Sequence, residues 1–192
     1  MSRWLLCCLL LLPFGLCAGE LRHLQVTSEK GEYRIEARVR VDAPVDAVRA
    51  TLTDYRHLSD INPDIRESRV LPSPAPGVTR VQTLVHACAF FYCVDMKRIE
   101  DVQQLPGGSL VSTMVPDHTS FKSGQTFWGL RPLGTQTDVT YRASMRPAFW
   151  IPPLIGPAVV RSNLRREMRE SFERLESIAR ARAEGAQGGG DE

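Results

Sequence analysis

Four histidines, His23, His57, His86 and His118, are the side chains best suited to move protons near neutral pH. His118 stands beside Asp117 in a polar stretch between two strand patterns, where a carboxylate can tune an imidazole. That pair is the candidate for acid–base catalysis; the rival reading makes each histidine a surface residue. His57 lies near Asp54 and Asp60, and His86 shortly precedes Cys88. Arg98 and Glu100 share a strand face, and a strand slip would aim both inward. Charges on the wet outer face are the expectation. The chain has no Gly-x-Ser-x-Gly elbow, no His-Glu-x-x-His and no glycine loop for phosphate.

Cys88 and Cys93 are separated by Ala89-Phe90-Phe91-Tyr92. In an exported chain such a pair bonds, and a disulfide is the first reading. Closing so short a loop gains little chain entropy, so the bond would mainly fix local geometry. A redox pair and half a metal site are the rivals. The spacing is not Cys-x-x-Cys and no histidine pair accompanies it, so no metal is assigned. No cofactor is implied either.

The other cysteines, Cys7, Cys8 and Cys17, fall in the N-terminal segment. Arg3 precedes a continuous apolar run from Trp4 to Leu16, and Cys17-Ala18-Gly19 supplies small residues for cleavage. Residues 1–19 read as a signal peptide, with the mature protein periplasmic or secreted. A lipidated Cys17 and an uncleaved anchor are the alternatives.

Hydrophobic residues make up 43 % of the chain and the formal net charge is +2. That supports one folded domain, expected over 20–182, with a disordered glycine-rich tail over 183–192. No basic stripe interleaved with aromatics points to nucleic acid.

Several elements must position the reactive residues. Glu20 to Lys30 is a loose segment or an edge strand. Tyr33, Ile35, Ala37, Val39 and Val41 alternate with charged residues, which is a half-buried strand. Asp42 or Ala43 then caps a helix with Pro44 in its first turn, and Asp54 caps a second short helix ending before Asn62-Pro63. Strand patterns follow over 68–71, 79–90, 92–103, 109–115, 124–132 and 137–146. Phe149 to Gly156 is apolar and stiffened by Pro152 and Pro153. From Pro157 to about Arg182, Val160, Leu164, Met168, Phe172, Leu175, Ile178 and Ala179 recur every three or four residues. The opposite face carries Arg161, Arg165, Arg166, Arg169, Glu173 and Glu176. The expected fold class is α+β: a curved antiparallel sheet of about six to seven strands around a long C-terminal helix, with two short helices after the first strand.

Val41-Asp42-Ala43-Pro44, Leu52-x-Asp54-Tyr55-x-x-Leu58, Asn62-Pro63-x-Ile65, Val70-Leu71, the approach Trp150-Ile151-Pro152-Pro153, and Arg161, Leu164 and Met168 carry a family resemblance. Over residues 31–180 the sequence resembles the START-like (SRPBCC) superfamily. It is most similar to the polyketide cyclase/dehydrase and lipid-transport group, which includes coenzyme Q-binding START-like proteins. The resemblance implies a helix-grip fold with an apolar cavity between sheet and last helix.

The residue pattern alone leaves a filled core as the rival of that cavity; the resemblance favours the cavity. Expected ligand-binding residues are Met96, Met114, Trp128, Tyr141 and Met145 from the sheet, and Val160, Leu164 and Met168 from the helix. Phe149, Trp150 and Ile155 join them at the entrance, with Asn62-Pro63 beside it. The function read from this is carriage of a hydrophobic small molecule such as a lipid, quinone or isoprenoid, without catalysis. Transient membrane contact through the apolar run would assist loading. The alternative is an aromatase/cyclase-like enzyme acting on a polyketide-type substrate. The sequence does not specify an oligomeric state.

Overall fold

A computed structural model describes residues 20–89, 92–117, 119–151 and 156–188. The strands are β1 (Glu20–Glu29), β2 (Glu32–Val41), β3 (Ile65–Leu71), β4 (Val78–Ala89), β5 (Tyr92–Gln104), β6 (Leu110–Met114), β7 (Phe121–Leu133) and β8 (Gln136–Pro147). Helices α1 (Val45–Leu52) and α2 (Leu58–Ile61) separate β2 from β3, and α3 (Gly156–Gly188) closes the order. The eight strands form one antiparallel sheet in the order β1-β2-β8-β7-β6-β5-β4-β3.

The strand count exceeds the expected six to seven because Glu20–Glu29 is a full edge strand. It pairs with β2 through a turn in which Lys30 (φ 49°) and Gly31 (φ 79°) both take left-handed conformations. Two successive positive φ angles match the right-handed twist of a two-residue hairpin. The two short helices therefore follow the second strand.

The alternation in β2 buries Tyr33, Ile35, Ala37, Val39 and Val41. In β8, Val139, Tyr141 and Ala143 continue the same face. Phe172, Leu175 and Ala179 of α3 pack on it, with Val48 and Leu52 of α1. Leu175 is fully buried, and burying such a side chain contributes about 2 kcal/mol. The 33 residues of α3 make a rod about 50 Å long. Its C-terminal half anchors in the core. Its N-terminal half is less buried and stands over the other end of the sheet. No described helix is long and apolar enough to cross a membrane.

Four local expectations are corrected. Pro44, not Asp42 or Ala43, occupies the N-cap of α1, and no side chain caps it. Asp42 is engaged elsewhere: its N–H donates to Glu176 Oε2 at 3.0 Å and Gln136 Nε2 donates to its carboxylate. Glu176 is consequently 5 % exposed rather than on a solvated face. Asp54 does not cap α2, whose N-cap is His57. Asp54 instead binds His57 Nδ1 at 2.7 Å and the Arg182 guanidinium. The helix also continues through residues 183–188, which the sequence reading placed in a disordered tail. Residues 1–19, read as a signal peptide, lie outside the described residues, as do 189–192.

Candidate functional site

Two adjoining chambers lie between the sheet and α3. The inner chamber is about 170 Å³ and is walled by apolar residues including Ile35, Leu58, Ile61, Trp128, Met168 and Phe172. The outer chamber is about 130 Å³ and is walled by Tyr33, Val85, Met96, Phe121, Phe149 and Val160 among others. Arg98, Met145, Leu164 and Glu167 belong to both walls. Together the chambers reach the small end of the range for ligand pockets, which begins near roughly 300 Å³. A larger trough of about 900 Å³ lies on the opposite sheet face, bordered by Arg22, Glu36, Arg38, Arg131, Asp138 and Arg142. Its charged rim is unsuited to an apolar guest.

Polar groups converge where the chambers meet. Arg98 Nη2 donates to Glu100 Oε2 at 2.8 Å, and Ser112 Oγ donates to Glu100 Oε1 at 2.9 Å. The side chains of Arg98 and Glu100 are 24 % and 15 % exposed. This overturns the expectation that both face outward. Charges alternate along a strand the same way inside or out, and β5 places this face toward α3. Burial works against the Arg98 charge, and Glu100, together with Tyr141 and Glu167, more than offsets it, holding the guanidinium above its ordinary value. Among the described residues, buried Arg98 Nε, Thr83 Oγ1 and Ser171 Oγ have no hydrogen-bond partner, and all three residues line the inner chamber.

Glu167 approaches from α3. Asn62 Nδ2 donates to its Oε1 at 2.6 Å. Burial raises the Glu167 carboxyl above its ordinary value, against the opposing hydrogen bond from Asn62. Burial also pushes the Tyr141 hydroxyl well up, against the opposing pull of the Arg98 charge. The Tyr141 ring packs on Trp128 at 4.4 Å and on Phe172 at 6.0 Å.

Of the residues expected to hold ligand, Met96, Phe149 and Val160 line the outer chamber, and Trp128, Tyr141 and Met168 the inner. Met145 and Leu164 line both. Met114 does not line either: it is buried beside Gly124, where an added Cβ would come within 3.2 Å of its Cε. Trp150 is 70 % exposed. Its neighbours Phe149 and Ile151 line the outer chamber and leave it turned outward. Ile155 and His118 lie outside the described residues, and Asp117 is exposed, away from both chambers. Cys88 and Cys93 are joined by a disulfide at the tip of the β4–β5 hairpin. Sequence reasoning missed Glu167, Thr83 and Ser171 altogether, and it placed Asn62 beside the entrance without its bond to Glu167.

An eight-stranded antiparallel sheet holding a long C-terminal helix over a cavity defines the helix-grip architecture of the START-like superfamily. Residues 32–180 match the polyketide cyclase / dehydrase and lipid transport family, and the chain belongs to it. No curated protein matches the sequence. Among solved structures it is similar to the Zhui aromatase/cyclase from Streptomyces sp. R1128, at 15 % identity and a TM-score of 0.64, covering 79 % of this chain and 95 % of that one. It is also similar to a STAR-related lipid transfer protein from Xanthomonas axonopodis, at 17 % identity and 0.58, covering 79 % and 98 %. Human STARD10 aligns at 13 % identity and 0.57, covering 79 % and 72 %. At these identities the likeness concerns the fold.

Proposed function

We propose that this chain binds a compact hydrophobic molecule with one polar end. The apolar body occupies the two chambers, and the polar end meets Arg98, Thr83 and Ser171. The observation that carries this is the set of unpartnered polar atoms around a buried ion pair in an otherwise apolar wall. A buried pair costs desolvation that its own attraction barely repays. Each unpartnered buried atom adds a further penalty. A guest oxygen accepting from Arg98 Nε and from the two hydroxyls would remove it. Membership of a family that includes lipid transport supports the same reading. Lipid, quinone and isoprenoid cargo all have this general form.

The setting we infer is the periplasm or the cell exterior, reached by way of residues 1–19. The apolar run beginning at Phe149, with exposed Trp150, supports loading at a membrane surface. Displacement of a fluorescent naphthalene-sulfonate probe tests the binding reading. A fatty acid or isoprenoid alcohol should compete at least about tenfold better than the matching hydrocarbon. Equal competition by the hydrocarbon, or none by any amphiphile, contradicts it.

The aromatase/cyclase reading draws on a separate observation. Glu167, buried and held with a raised carboxyl value, is suited to donate a proton inside the cavity. Tyr141 and Arg98 would then polarise a substrate carbonyl. Turnover of a poly-ketone by the wild type that Glu167→Gln abolishes would favour this reading over carriage.

A further inference from the structure

The tip of the β4–β5 hairpin concentrates reactive groups, of which Cys88 borders the outer chamber. Cys88 pairs with Cys93, and His86 pairs with Asp95 two steps along the same ladder. Positions two apart share a sheet face, so the register sets all four side chains together. Asp95 Oδ1 accepts from His86 Nδ1 at 2.6 Å. This turns His86 Nε2 toward Cys88 Sγ, 3.3 Å away. The ligand atoms of His86, Cys88 and Cys93 lie within 4.8 Å of one another.

A structural role explains this arrangement poorly. The bond closes a loop of sequence separation 5 within a hairpin already held by its ladder, so its chain-entropy contribution is small. Both cysteines are exposed, and exposed disulfides are the readily exchanged ones. An imidazole aimed at one sulfur is the environment that favours a thiolate.

We propose that Cys88–Cys93 is a thiol–disulfide exchange site whose partner is a dithiol reductant. A thiolate of the dithiol attacks Cys93 Sγ and forms a mixed disulfide. The Cys88–Cys93 bond breaks, and its electron pair leaves on Cys88 Sγ. The proton shed by the attacking thiol passes to His86 Nε2, which then holds the Cys88 thiolate, while Asp95 keeps the imidazole in place. The second thiol of the reductant then attacks its own sulfur in the mixed disulfide and releases Cys93. Two electrons and two protons pass from the dithiol to the hairpin, and the dithiol ends as a disulfide. Asn163 Nδ2 donates to the Cys88 carbonyl at 3.0 Å, and the Tyr92 hydroxyl donates to the Trp150 carbonyl at 3.1 Å. The exchange site therefore lies where the hairpin meets α3 and the outer chamber. Its chemistry does not depend on the cargo reading.

The test is the rate at which dithiothreitol reduces the intact protein, read by alkylation and mass. His86→Gln should slow reduction about tenfold and Asp95→Asn severalfold, with unchanged circular dichroism. In Cys93→Ser, the freed Cys88 should alkylate several times faster than in the Cys93→Ser/His86→Gln double variant. A His86 that only packs would move neither rate. Wild-type rates in His86→Gln, or equal Cys88 alkylation with and without His86, overturn the proposal.

Discussion

Asn62 Nδ2 donates to Glu167 Oε1 at 2.6 Å and so ties the end of α2 to the helix over the cavity. The bond satisfies one oxygen of a carboxyl that burial holds above its ordinary value of 4.5. The folded protein thus binds the Glu167 proton more tightly than the unfolded chain does. Its stabilising contribution is complete below about pH 4.5 and is lost as pH rises through the raised value. Glu167→Gln should flatten that part of the stability profile. Urea midpoints for both proteins, taken from about pH 5 to about pH 8, check this. Parallel profiles would contradict it.

Arg98 and Glu100 should behave as a unit. Arg98→Met leaves Glu100 buried without its partner and should cost about 3–5 kcal/mol. The double variant Arg98→Met/Glu100→Leu should recover most of that loss, because the cost lies in the stranded charge. It should also bind hydrocarbon and amphiphile alike. Denaturation and probe displacement on the same samples separate the two effects.

Leu164 borders both chambers. Leu164→Trp should fill the space where they join and weaken ligand binding at least about tenfold. The melting temperature should change by only a few degrees, since the bulk enters space already open. A variant that binds normally would place the guest elsewhere.

Trp150 is 70 % exposed and holds no wall position. Trp150→Ser should leave stability and probe affinity unchanged while slowing transfer to and from liposomes severalfold. Equal transfer rates would remove the membrane from the account.

The sequence announces some of this architecture through apolar spacing and hides the rest. Tyr33 to Val41 shows its face because every second residue is apolar and buried. Leu21, Leu24 and Val26 of β1 do not keep that period, since the ladder shifts between Leu21 and His23. The C-terminal helix declares itself through Leu164, Phe172 and Leu175. Its site residue Glu167 is lost among Arg165, Arg166 and Arg169, a run that reads as solvated. Arg98 and Glu100 share strand parity with Met96 and Val102, which line the chambers. That signal was blurred by Ile99, buried on the other parity. Thr83 and Ser171 matter through hydrogen bonds they lack, and no spacing rule records a missing bond.

Whether the cavity holds a polar-ended apolar guest is tested most directly by native mass spectrometry of the chain from Glu20 onward. Purified without detergent and then loaded with total membrane lipid, the protein should carry one adduct, identified after extraction as a compact amphiphile. Arg98→Met/Glu100→Leu should lose selectivity for it. A wild-type protein that keeps its apo mass after that incubation would contradict the account.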